Sequence, residues 1–224
     1  TSGGLTGGDM MSYDIAVKEN ANLTVSGQAA EKIYKSIGPD VSIETQMRVA
    51  SGAYLEWLPQ ETILFNKARL KRINKVYLAE DAQFLAVEAT IFGRQAHGET
   101  VHEAALIDGW EVRIDGKLVW FDRFKFEGLM SKVLSRPAML NSARAMATLI
   151  LVGPDNPALL DSIREYAADK SGKIGATILE GGPMVVRLLD EDPYLMRKNM
   201  IELISIARAK MTGEVRPMPA SWEV

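Results

Sequence analysis

At 224 residues the chain is long enough for one large or two small domains with a real core, and its 47 % hydrophobic and 25 % charged residues are an ordinary globular balance. A formal charge of −3 argues against a sequence-independent nucleic-acid binder, which needs a basic face. The lack of any cysteine excludes disulfides, thiolate metal sites and cysteine nucleophiles, and fits a reducing compartment.

No apolar run reaches the roughly 20 residues that span a bilayer as a helix, and no signal-peptide pattern opens the chain. Neither nucleic acid nor membrane is therefore an expected partner. The first residues are Thr1-Ser2-Gly3-Gly4-Leu5-Thr6-Gly7-Gly8-Asp9, without an initiator methionine. A glycine-rich turn is an odd place for a domain to begin, so further upstream sequence is expected. The string invites a phosphate-loop reading but lacks the Lys-Ser/Thr and the helix start that such a loop needs. Glycines that permit tight turns and close backbone approach are the simpler account, with Asp9 fixed beside them as a candidate acidic residue.

From about residue 11 to 124 the apolar residues recur with a period of two. Tyr13, Ile15 and Val17 alternate with polar neighbours, Leu23 and Val25 follow, and Val41, Ile43, Met47 and Val49 form another such segment. Residues 55 to 65 read Leu-Glu-Trp-Leu-Pro-Gln-Glu-Thr-Ile-Leu-Phe. Pro59 removes a backbone donor, so this stretch is expected to be two short strands hinged at the proline, with Gln60 and Glu61 beside the bend. Glu56 shares its face with Tyr54 and Leu58, so Glu56 and Glu61 are candidate anchors or wall residues around Trp57. Longer strands are expected over 68–79, 82–94, 102–115 and 117–126, divided by turn residues such as Gly38-Pro39-Asp40 and Asp115-Gly116.

Within these strands two carboxylates sit on apolar faces. Along 84–92, Leu85, Val87, Ala89 and Ile91 take one face, while Phe84, Ala86, Thr90 and Phe92 take the other with Glu88 among them. Along 118–126, Leu118, Trp120, Phe124 and Phe126 share a face with Asp122. A buried carboxylate needs a partner, an ion or a raised pKa, so two such positions point to an internal polar site or channel. The competing account is a pair of structural ion pairs, with Arg94 or Arg123 as partners. His97 and His102 lie near Glu99 and Glu103, but a glycine-bounded turn with no third ligand at motif spacing reads as an exposed hairpin.

A helix-like patch near 127–135 closes this part. Beyond it, Ala143–Val152 reads as a strand ending at Gly153-Pro154, 155–169 as a helix, and 173–179 and 184–189 as strands. A last long helix starts at Asp192 and Pro193, carries a stripe of Met196, Met200, Leu203, Ile204, Ala207 and Met211, and stops at Gly213. The tail from Val215 is expected to be extended and loosely held. The expected fold is mainly β, with stacked antiparallel sheets, helix-like or sandwich-like. Residues 1–136 form the β body. Residues 137–224 form a smaller α/β part with two to three helices, packed on the body rather than independent.

Gly3-Gly-Leu-Thr-Gly-Gly-Asp9, Gln28-Ala-Ala-Glu-Lys-Ile-Tyr34, Leu55–Phe65, Phe92-Gly-Arg94 and Gly98-Glu-Thr100 together resemble the urease accessory protein UreD (UreH) family, in the family's order. Within that pattern Gly3, Gly4, Gly7, Gly8, Glu56, Trp57, Pro59, Gln60 and Glu61 are the motif residues. The family carries a substantial segment before the glycine string, which this chain lacks. The resemblance implies a predominantly β stack with a smaller helical portion, and a non-enzymatic, cytoplasmic chaperone that acts with UreF and the GTPase UreG on apo-urease. It implies no tightly bound cofactor but transient Ni²⁺, carried through an internal tunnel for which Asp9, Glu88 and Asp122 are the candidate lining residues. The rival from another class is a carbohydrate-active β enzyme with Glu88 and Asp122 as acid and base.

Overall fold

The computed structural model describes residues 3–94, 98–154 and 156–222. Its strands are β1 (Met10–Val17), β2 (Asn22–Ser26), β3 (Glu31–Ile33), β4 (Val41–Val49), β5 (Tyr54–Leu58), β6 (Thr62–Leu64), β7 (Arg69–Leu78), β8 (Gln83–Phe92), β9 (Glu103–Ile114), β10 (Lys117–Leu129), β11 (Ala145–Val152), β12 (Lys173–Ile178) and β13 (Met184–Asp190). The helices are α1 (Met130–Leu134), α2 (Asn156–Ala168) and α3 (Pro193–Thr212).

Two sheets stack face to face. The first runs β1-β4-β7-β9-β10; the second runs β12-β13-β11-β8-β5-β2, with β6 joined to β8 and β3 to β6. Through the first half the chain passes back and forth between the sheets, so β1, β4, β7 and β9 lie parallel in one, while β2, β5 and β8, and likewise β3, β6 and β8, lie parallel in the other. The body is thus a short solenoid of coils, and the expected antiparallel pairing is wrong for it. A period of two reports a half-buried strand whichever way its neighbour runs. Direction is decided by the chain passing through the other sheet before it returns, which brings like strands of successive coils together. Antiparallel pairs are confined to the β9–β10 hairpin and to β8-β11-β13-β12. The second sheet runs unbroken through strands from both sides of residue 137.

Between the sheets lie two apolar cores. One gathers Ile43, Leu70, Leu106, Phe92 and Phe126, the other Met47, Val76, Trp57, Phe84 and Val112. A third core lies on the outer face of the second sheet, where Leu85, Val87, Ala89 and Leu149 meet the apolar stripe of α3. The start and stop of that helix follow its sequence signals. The Asp192 carboxylate accepts the Tyr194 N–H at 2.8 Å, Pro193 holds the first turn, and Gly213 ends the helix at φ 72°.

The tail is not loose. Trp222 is 1 % exposed, and its indole N–H donates to the Leu58 carbonyl at 3.2 Å. The Arg197 guanidinium lies 4.9 Å from the Trp222 ring centroid and donates to its carbonyl at 3.1 Å. The bulky indole carries enough apolar surface to fix a segment that its two prolines alone would leave extended. Trp222→Ala is expected to lower unfolding stability by about 3–5 kcal/mol, the usual cost of deleting a buried large aromatic, read as a fall in the denaturation midpoint with an unchanged slope.

Candidate functional site

The inward faces of the two sheets carry a row of polar residues in register. In the first sheet Tyr13, Thr45 and Asn74 are aligned neighbours, Trp110 and Asp122 continue that row, and Arg72 with Asp108 occupy the row beside it. In the second sheet Glu31, Thr62 and Thr90 are aligned, and Glu88, Thr148 and Arg187 are aligned next to them. These rows face one another between the two inter-sheet cores, so a polar seam crosses the stack from β1 and β3 to β10 and β13.

At the centre of the seam Arg72 and Glu88 form an ion pair at 2.6 Å, with both side chains 4 % exposed. Arg72 also grips Asp108 through Nε at 3.0 Å and Nη2 at 2.6 Å, and donates to Thr62 at 2.8 Å and Thr90 at 3.2 Å. Glu88 accepts the Trp57 indole N–H at 3.0 Å. Burial pushes the Glu88 carboxyl above the usual carboxylate range; Arg72 opposes this and Asp108 adds to it. Burial alone would weaken Arg72 as a base, yet Asp108 and Glu88 outweigh it and hold the guanidinium charged. Asn74 is fully buried beside Glu88, whose charged form it favours, and among the described residues its amide makes no hydrogen bond of normal geometry.

A cavity of about 230 Å³ opens onto this cluster, walled by Tyr13, Glu31, Thr45, Trp57, Gln60 and Glu88 among others. It is roomy enough for several water molecules, each needing on the order of 15 Å³. Tyr13 is pushed up from its ordinary phenol value by burial and by the charges of Glu31 and Glu88, which ties the mouth electrostatically to the interior.

Of the candidate residues, Glu88 thus lies at the core of the seam. Asp122 lies at its far end, half-buried and paired with Arg187 at 2.7 Å. The two carboxylates share the layer but no partner, and their arginines are Arg72 and Arg187 rather than Arg94 or Arg123. Arg94 pairs with Glu99 and Arg123 with Glu111. Asp9 stands outside, where its carboxylate accepts the Thr6 N–H at 2.7 Å and closes the glycine turn. That turn borders a groove whose walls Tyr13, Gly27, Ala29 and Glu31 are shared with the cavity, so Asp9 lies on its approach. Gly4 takes φ +127°, and a Cβ on Gly7 would sit 2.7 Å from the Pro39 carbonyl, so both answer to backbone geometry. Gly3 and Gly8 complete the same turn, Gly8 at φ +95°. His102 is exposed; His97 lies outside the described residues.

The Leu55–Phe65 string divides its residues between the two faces of the second sheet. Trp57, Pro59 and Gln60 line the cavity. Glu56 points the other way, where Arg208 of α3 holds both its oxygens at 2.7 and 2.8 Å, and Tyr54 and Thr24 donate to it at 2.7 Å. Glu61 binds Arg197 of the same helix at 2.6 Å, and Gln60 also binds the Ser221 carbonyl of the tail at 2.9 Å. Glu56 and Glu61 are therefore anchors for α3. Among the described residues no three Asp, Glu or His side chains converge closely enough to hold a metal ion, and no helix is long and apolar enough to cross a membrane.

Sequence reasoning missed Arg72 and Asp108, although the signal was present. Arg72 alternates with Leu70, Asn74 and Val76, and Asp108 with Leu106 and Trp110, the same pattern of a charge on an apolar face that singled out Glu88.

Comparison of the sequence with known proteins gives the family. The family described as "UreD urease accessory protein" matches residues 1–223. The chain belongs to the UreD urease accessory protein family. It is 41 % identical over 229 residues to the urease accessory protein UreD of Magnetococcus marinus, covering 100 % of this chain and 78 % of that one. It is 42 % identical over 222 residues to UreD of Granulibacter bethesdensis, covering 99 % of this chain and 91 % of that protein. UreD of Rhodopseudomonas palustris is 36 % identical over 222 residues, covering 99 % and 77 %.

The helix-side pair gives a pH test. Burial would raise Glu56, but Arg208, Tyr54 and Thr24 outweigh it and lower its pKa. Its contribution is present above the unfolded carboxylate value, about 4.3, and lost as pH falls through the folded one. Arg208→Met removes the partner and leaves a buried charge, so at pH 7 it should cost about 3–5 kcal/mol. With Arg208 gone burial is no longer outweighed, and Glu56 of the variant is raised. That deficit should therefore shrink between pH 7 and pH 5, where the native pair is still ionised, measured by denaturant unfolding at the two pH values. A deficit independent of pH would assign the loss to packing instead.

Proposed function

We propose that this chain is a non-catalytic scaffold of urease maturation, which acts in the cytoplasm with UreF and UreG on apo-urease and helps pass nickel toward the urease active site. Membership of the urease accessory family supplies the process. The polar seam is the observation that supports the nickel part of the reading. Along it four carboxylates, Glu31, Glu88, Asp108 and Asp122, are set against two guanidinium groups, Arg72 and Arg187. A layer with more negative than positive side chains between two apolar cores favours a cation over an anion or a neutral solute.

Ni²⁺ is the cargo, held by no resident site. It accepts oxygen and nitrogen ligands, and carboxylates with water can pass it on where each grip is weak, since a conduit must release what it binds. In this reading Asp9 stands on the approach, Glu88 at the buried charged centre and Asp122 at the far end. An acid–base pair for glycoside cleavage is disfavoured by the same geometry: Glu88 and Asp122 are each bound to a different arginine and do not flank one open cleft.

Glu88→Ala and Asp122→Ala are each expected to lower nickel-dependent urease activation severalfold while UreF still co-purifies with the chain. Normal activation by both variants would remove the seam from the nickel path. Loss of UreF binding would show that the substitutions act on assembly.

A further inference from the structure

Arg72 stands between the cavity and the inner part of the seam; it donates four hydrogen bonds, two to Asp108 and one each to Thr62 and Thr90, and its guanidinium pairs with Glu88 at 2.6 Å. Without the guanidinium the oxygens of these four side chains would converge with two negative charges and no counter-ion. Two carboxylates and two hydroxyls form an all-oxygen set of the kind that suits a hard or borderline divalent cation. A second feature points the same way. Asn74 lies two residues along the inward face of β7, is 0 % exposed, makes no hydrogen bond of normal geometry through its amide among the described residues, and stands close enough to Glu88 to favour its charged form. A buried, poorly satisfied amide beside a charged cluster marks a place where a polar guest is expected.

The grip on Arg72 is unequal. Asp108 takes two bonds in a fork, whereas Glu88 takes one contact and is also held by Trp57. Glu88 can therefore turn one oxygen to an arriving cation while the other stays on the indole, and Arg72 stays on Asp108. One positive charge replaces another at Glu88, so no buried carboxylate is left uncompensated at any stage.

We propose that Arg72 is the built-in counter-cation of a latent divalent-cation site, which offers Glu88 alone while the guanidinium stays on Asp108 and Glu88, Asp108, Thr62 and Thr90 together once it is removed, and that its exchange at Glu88 gates the seam. The proposal rests on the nickel-path reading for its biological use, but its chemistry is tested separately. An incoming ion has to compete with an arginine that is already in place, which keeps binding in the native protein weak. Replacing Arg72 with a neutral side chain removes the competitor and exposes the site.

The experiment is a titration of purified full chain with NiCl₂, and in parallel MnCl₂, by calorimetry or equilibrium dialysis. Arg72→Gln is expected to bind one Ni²⁺ at least tenfold more tightly than the native chain and to show a rise in unfolding temperature with added Ni²⁺. Arg72→Gln with Glu88→Gln should lose both effects. The proposal is overturned if folded Arg72→Gln binds no more tightly than the native chain, or if the gain survives the second substitution. Should Arg72→Gln fail to fold without metal, it is refolded with and without millimolar Ni²⁺: recovery of the native circular dichroism only with Ni²⁺ supports the site, and no recovery overturns it. Normal urease activation by Glu88→Ala, by contrast, would reject the path while leaving the latent site standing.

Discussion

A carboxylate taken out of water needs a compensating charge, and this requirement organises the molecule. Its buried glutamates, Glu56, Glu61 and Glu88, each meet an arginine from a distant element. Glu88 on β8 finds Arg72 on β7 across the gap between the sheets. Glu56 and Glu61, on either side of Pro59, find Arg208 and Arg197 on α3. Removing either member of such a pair strands the other in a low-dielectric setting, which costs several kcal/mol. The pairs therefore fix how the layers sit: sheet against sheet through Arg72, and helix against sheet through Arg197 and Arg208. The proline-bent string is where both jobs meet, because consecutive residues of a strand face opposite sides. Glu56 serves the helix side, and Trp57 steadies Glu88 on the other.

The elements were legible in the sequence because alternation and capping are local. Period two marked β4, β7, β8, β9 and β10 nearly to their ends, and Asp192, Pro193 and Gly213 marked α3 at both. Glu88 was legible for the same reason, as the one charge among Phe84, Ala86 and Phe92. Its partner was not. Arg72 and Asp108 become neighbours only because β7 and β9 are parallel strands of successive coils, and strand direction leaves no trace in a two-residue period. Asp122 was found on its apolar face, but its partner Arg187 comes from the other sheet, beyond the reach of any local pattern. The tail reads as loose from its prolines alone, whereas Trp222 carries the contrary signal: a large aromatic in such a segment has the apolar surface to anchor it.

Glu88 and Glu56 are both buried and both bound to arginine, yet their pKa values move in opposite directions. Burial is the largest influence on each and prevails at the more deeply desolvated Glu88; how the cation is shared adds to the difference. Arg208 turns its fork on Glu56 alone, and Tyr54 and Thr24 add two donors, so the charged form is fully satisfied. Arg72 divides its charge between Glu88 and Asp108, and the second carboxylate raises the cost of ionising the first. One pair is closed and serves as an anchor. The other is underneutralised and opens on a cavity, with a poorly satisfied amide beside it, so the same two residue types carry a different consequence. Among the buried glutamates of the described residues Glu88 is the one that shares its arginine with a second carboxylate, and in the proposed reading that leaves it something to offer a passing cation.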